Sequence, residues 1–177
     1  MVAFLVQGDV TAQGSKNAFA IYRGSAKKGT REFTGRIAVV ETAKKRLDPW
    51  REIIKAGARE SMGRYVPWEE FPITGPVRVS LTFSLRAPKR IPPERLGWPA
   101  TKPDVDKYVR GALDALTMAA VWRDDGQVVR HTATKVYDLL PSPGVVVEVH
   151  RLDAESAQAA KEVVMAQEFV RAALQAH

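Results

Sequence analysis

From Gly75 to Arg86 the chain alternates with a period of two: Val77, Val79, Leu81, Phe83 and Leu85 are separated by Arg78, Ser80, Thr82, Ser84 and Arg86. Successive side chains of an extended backbone point to opposite faces, so this segment needs one covered face and one polar face. A lone strand cannot bury that row. The rest of the chain has to supply partner strands and covering helices.

Short runs provide the strands. Val2–Gln7, Phe19–Arg23, Arg36–Val40, about 127–137 and 145–150 read as extended, the last two split by the turn Pro141-Ser142-Pro143-Gly144. The second and third form a hairpin around the basic connection Gly24–Arg31. Asp48-Pro49 reads as the N-cap and first position of a helix, where the missing proline N–H costs nothing. Trp50, Ile53, Ile54, Gly57, Ala58 and Met62 then give its buried face, and Arg51, Lys55 and Arg59 line another, as solvated charges rather than phosphate contacts. A second helix runs from Asp104 to about Met118, with Val105, Val109, Ala112, Leu113 and Leu116 as its apolar stripe. Asp106, Arg110 and Asp114 share another face at i, i+4 and i+8, which pairs Asp114 with Arg110. From Asp153 onward an Ala-rich amphipathic helix is expected, with Ala160, Val163, Val164, Gln167, Val170 and Leu174 on one side. The fold class is therefore α+β (mixed α/β): a small, mainly antiparallel sheet with helices packed on it, plus an added C-terminal helix.

Composition narrows the chemistry. The 177 residues contain no Cys and three widely spaced His, which leaves no disulfide, thiolate site or paired-histidine zinc helix. No apolar run approaches the roughly 18 residues that span a bilayer, and the N-terminus lacks the basic and apolar regions of a signal peptide, so the expected location is the cytoplasm and no membrane partner is expected. The net charge is +7, and the first 64 residues carry 13 Lys/Arg against 6 Asp/Glu. A basic region of this kind suits a polyanion, although a solvated basic surface explains it equally well.

Against this background five carboxylates, Asp104, Asp106, Asp114, Asp124 and Asp125, fall within 22 residues. Grouped acids repel one another unless a hard cation lies between them, and magnesium favours oxygen ligands. One Asp at a helix start is an ordinary cap; two at i, i+2 followed by an Asp-Asp pair favour a metal site. A helix of about 12 residues carries the chain roughly 18 Å from Asp106. Residues 118–125, if extended, span about 26 Å and can return Asp125 to Asp104. Either that linker returns or the site is shared across a dimer.

Lys102-Pro-Asp-Val-Asp-Lys107, Arg110, Leu113-Asp-Ala-Leu116 and Val121-Trp-Arg-Asp-Asp-Gly-Gln-Val128 closely resemble the RusA family of Holliday-junction resolvases. The correspondence is good over about residues 102–136 and weaker over 2–101, where Gly8–Lys16 resembles an early basic loop and Trp50-Arg51 the first helix. It implies a RusA-like endonuclease domain over 1–151 and a helical extension over 152–177. It further implies a magnesium-dependent endodeoxyribonuclease (manganese being an alternative ion) that acts as a homodimer on branched, four-way DNA. The family's essential aspartates fall on Asp104, Asp106 and Asp125, as metal ligands, and its catalytic-site lysine on Arg110. That last is a departure. Arginine keeps the positive charge but cannot donate a proton near neutral pH; it serves if the family residue is a phosphate clamp and fails if it protonates a leaving group.

Lys16, Lys27, Lys28, Arg31, Lys89, Arg90, Lys102, Lys107 and Lys135 are DNA-contact candidates, with Gln127 beside them. Asp124 is a turn former or an outer partner of the metal site. Trp122 belongs in the core, and Trp98 either stacks on an unpaired base or packs on the sheet. Two rivals remain on the residues alone: a structure-specific DNA-binding protein without nuclease activity, and a nucleotide phosphohydrolase, for which the chain has no Gly-rich phosphate loop of the usual kind.

Overall fold

The computed structural model describes residues 1–162, apart from 15, 42, 65, 66, 93 and 95. Its strands are β1 (Val2–Gln7), β2 (Lys16–Arg23), β3 (Glu32–Glu41), β4 (Val77–Leu85), β5 (Val128–Tyr137) and β6 (Gly144–Arg151). The helices are α1 (Lys44–Ser61), α2 (Val105–Met118) and α3 (154–162). The tail positions expected to continue α3, from Val163 on, lie outside the described residues.

The alternating segment becomes β4, an inner strand of a four-stranded sheet in the order β1-β6-β4-β5. β6 is antiparallel to β1 and to β4, whereas β4 and β5 are parallel. A parallel pair needs a crossover, and α2 is that crossover. Val77, Val79, Leu81 and Phe83 are buried together with Val145, Val147 and Val149 of β6. Over them lie Leu47, Trp50, Ile54 and Ala58 of α1 and Tyr108, Val109, Ala112, Ala115 and Leu116 of α2. Each large side chain so buried contributes about 1.5–3 kcal/mol. The sheet is mainly antiparallel and α1 and α2 cover one face: mixed α+β, as the pattern implied.

α1 begins a turn earlier than Asp48-Pro49 suggested, with Ala43 as N-cap and Pro49 inside the helix. The earlier start brings Leu47, fully buried, onto the same face as Trp50, and that burial offsets the backbone hydrogen bond Pro49 cannot make. Gly57 is required where α1 rests on β1: a Cβ there would stand 2.3 Å from Val6 Cγ1.

Among the described residues, β2 and β3 pair only with each other, as a separate two-stranded sheet. Trp122 is buried as expected, while Trp98 is 74% exposed and does not pack on the sheet.

Candidate active site

α2 decides where the acids go. Asp104 is its N-cap residue, in extended conformation, yet its side chain makes no capping hydrogen bond. The carboxylate is therefore not engaged by the helix backbone and points its charge to the positive end of the helix dipole. Its Oδ2 lies 3.6 Å from Lys107 Nζ. Asp106, in the first turn, accepts a hydrogen bond from Arg110 Nη2 at 2.9 Å. The side chains of Asp104 and Asp106 are 59% and 60% exposed, so both remain open to a ligand.

This helix start is held from two sides. Lys135 Nζ donates to the carbonyl oxygens of Thr101 and Pro103, at 3.0 and 2.9 Å. The Lys107 carbonyl accepts from Gln13 N at 2.9 Å, which brings the early Gly-containing loop against the first turn of α2. Next to it, Phe83 and Tyr108 pack with ring centroids 5.3 Å apart. Burial pushes the Tyr108 phenol above its ordinary pKa, with Tyr137 adding to the effect, so it stays neutral and serves as packing.

Asp125 opens a short 3-10 turn, Asp125–Gln127, that leads into β5, with Asp124 as its N-cap. Asp124 is the turn former: its Oδ1 accepts from Gly126 N at 2.8 Å in a capping box completed by Gln127. Gln127 is structural. Its Oε1 accepts from Arg123 N, and its Nε2 donates to the carbonyls of Ile73 and Gly75 at 2.9 and 2.8 Å. Asp125 is exposed and makes no ion pair or side-chain hydrogen bond among the described residues.

The two acidic ends are far apart. Trp122 Nε1 donates to Thr117 Oγ1, which ties the turn to the last turns of α2. Lys135, near the other end of β5, sits at the first turn. α2 has 14 residues, so its ends, and with them Asp104 and Asp125, are separated by about 20 Å. The linker after Met118 does not fold back. Consistently, no group of three metal-ligating side chains converges among the described residues.

Other polar candidates divide by location. The loop leaving β4 carries Lys89, Arg90 and Lys102, all exposed, toward the Asp104 end. Lys27, Lys28 and Arg31 lie at the tip of the β2–β3 hairpin, where the Arg31 guanidinium stacks 4.0 Å from the Tyr22 ring. Lys16 opens β2. Asp114 pairs with Arg51 of α1 rather than with Arg110, because Arg110 is already turned to Asp106. Sequence reasoning missed the long-range roles of Lys135 and Arg51. The Asp124-x-x-Gln127 spacing did carry a capping-box signal.

A sequence model described as "Endodeoxyribonuclease RusA" matches residues 23–150. The chain belongs to the RusA family. The matched span takes in both ends of α2 and every acid discussed above, and leaves out the early loop and the tail. Among curated proteins, the chain is similar to the uncharacterized protein YqaN of Bacillus subtilis (strain 168), with 36% identity over 84 residues. That alignment covers 42% of this RusA-family chain and 58% of the relative, less than two thirds of the relative's length.

Proposed function

We propose that this chain is a structure-specific endodeoxyribonuclease that resolves four-way DNA junctions as a two-fold homodimer, cutting opposing strands in a magnesium-dependent reaction in the cytoplasm. Family membership supports the nuclease chemistry. One geometric observation supports the dimer: Asp104 and Asp106 stand about 20 Å from Asp125 across the length of α2. A complete carboxylate set then comes from two protomers, with Asp104 and Asp106 of one and Asp125 of the other. A two-fold dimer yields two such sets, as paired cuts on a two-fold junction require.

The donor set fits a hard divalent cation. Asp104 is free of any capping bond and Asp125 of any partner among the described residues, so both offer exposed oxygens. Magnesium, when bound, would lower the pKa of a water and neutralise charge on the leaving oxygen. Arg110 and Lys107 flank the acids within one turn; they would neutralise the scissile phosphate and fix its position. Arg110 cannot release its proton near neutral pH, so its part is electrostatic. Lys135 acts behind the site by fixing the backbone ahead of Asp104. Lys89, Arg90 and Lys102 would meet phosphates at the same end, and the hairpin tip those farther along an arm.

The test is cleavage of a labelled synthetic four-way junction, with and without magnesium, by wild type and Asp106→Asn. Paired magnesium-dependent nicks near the crossover, absent in the variant, are expected. Junction binding without cleavage under any metal would instead leave a non-catalytic structure-specific binder.

A further inference from the structure

We propose that the face of the sheet opposite α1 and α2, centred on Arg78 and Arg130, is a second DNA-contact surface that holds the phosphates of a duplex arm running past Asp125. The proposal rests on the nuclease reading above and extends it to a face that none of Asp104, Asp106 and Asp125 occupies.

The face is defined by what it excludes. Val77, Val79, Leu81 and Phe83 are buried under α1 and α2, so Arg78, Ser80 and Thr82 point the opposite way, while Ser84 at the end of that row is buried beside Leu140. In the strand register Arg78 lies beside Arg130 on β5 and beside His150 on β6. Two guanidinium groups and an imidazole thus form one row across three strands. Like charges on neighbouring strands repel, and no carboxylate among the described residues forms an ion pair with either arginine. Arg78 Nε is moreover buried without a hydrogen-bond partner. An arrangement this unfavourable in the free protein is relieved by an anion.

The neighbouring rows suit a phosphodiester backbone. Ser80 lies beside Thr132, whose hydroxyl donates to it at 3.1 Å, and Thr82 lies beside Thr134. These are small neutral donors that bring no bulk between a duplex and the sheet. Two acids are near. Glu148 is opposite Ser80 on the β6 side, away from β5. Asp153 accepts 2.7 Å hydrogen bonds from Ser156 N and Oγ. Between the arginines and the start of α3 lies a cleft of about 830 Å³, lined by Arg78 and Arg130 on one side and by Ser156, Ala157 and Ala160 on the other. Its position matters most. Arg130 follows Asp125 by five residues, at most about 17 Å of chain, or about half a turn of duplex. A strand cut beside Asp125 would continue across this row.

The experiment measures binding of a synthetic four-way junction and of a linear duplex across a series of salt concentrations. It compares wild type with the Arg78→Gln/Arg130→Gln and Arg78→Lys/Arg130→Lys double variants. With about 0.9 per phosphate contact, the glutamine pair is expected to lower the slope of log affinity against log salt by about 1.8, and the lysine pair to keep most of it. Arg130→Gln alone, at an exposed position, should lower it by about 0.9 and keeps the test readable if the double variant is unstable. Unchanged slope and affinity in the glutamine variants would overturn this surface and leave the nuclease reading standing. A wild type that binds neither DNA would sink both.

Discussion

Lys135 Nζ, on β5, donates to the carbonyl oxygen of Pro103 at 2.9 Å, one residue ahead of Asp104. A second bond to Thr101 O completes the clamp. The ammonium thus fixes the backbone from which the first carboxylate projects.

Lys135→Met should therefore leave the protein folded but loosen the Asp104 end. Losing such an outer support typically lowers metal affinity or activity by about 10–100-fold. The magnesium concentration for half-maximal cleavage should rise, while junction affinity in the absence of metal changes little. A lysine that merely contacts DNA would give the reverse pattern.

Arg110 offers a cleaner division of roles. If its part is charge alone, Arg110→Lys should keep most of the activity, and Arg110→Gln should lose about 100- to 1,000-fold in kcat. The pH–rate profiles of wild type and Arg110→Lys should coincide between pH 6 and 8. A new alkaline limb in the lysine variant would instead mark a proton donor.

Gln127 binds the turn carrying Asp125 to the segment before β4, through the Ile73 and Gly75 carbonyls. Gln127→Ala should cost about 1–3 kcal/mol by chemical denaturation, because partly buried acceptors lose their donor. Gln127→Glu, which turns an oxygen toward those two carbonyls, should give no rescue.

Gly57→Ala tests the contact between α1 and β1. The added methyl would meet Val6 Cγ1 at 2.3 Å, and overpacking of this kind typically costs about 1–3 kcal/mol. The melting temperature should fall by several degrees with no change in magnesium dependence.

Much of the fold was legible because local rules decide it. The period of two in β4 and the apolar stripe of α2 specify strand and helix without reference to anything distant. The start of α1 was not, because Pro49 is a good first-turn signal and only the tertiary burial of Leu47 overrides it. At the site, the acids and Arg110 were visible as a cluster in sequence, with a helix between Asp106 and the Asp124-Asp125 pair. What the sequence left open was whether the linker after Met118 returns. That depends on Trp122 and Gln127 finding partners in Thr117 and at Ile73 and Gly75, contacts that residue pattern alone does not encode. Lys135 was readable only as an exposed cation until β5 was placed beside the loop it holds.

The most direct measurement is complementation between two inactive variants. Asp104→Asn and Asp125→Asn, each inactive as a homodimer, would be co-expressed with different tags and the mixed dimer purified. If each metal site joins Asp104 of one protomer to Asp125 of its partner, the mixed dimer holds one intact site and one doubly damaged site. It should regain magnesium-dependent nicking of a four-way junction, on one strand instead of two. A mixed dimer as inactive as its parents would contradict the shared site.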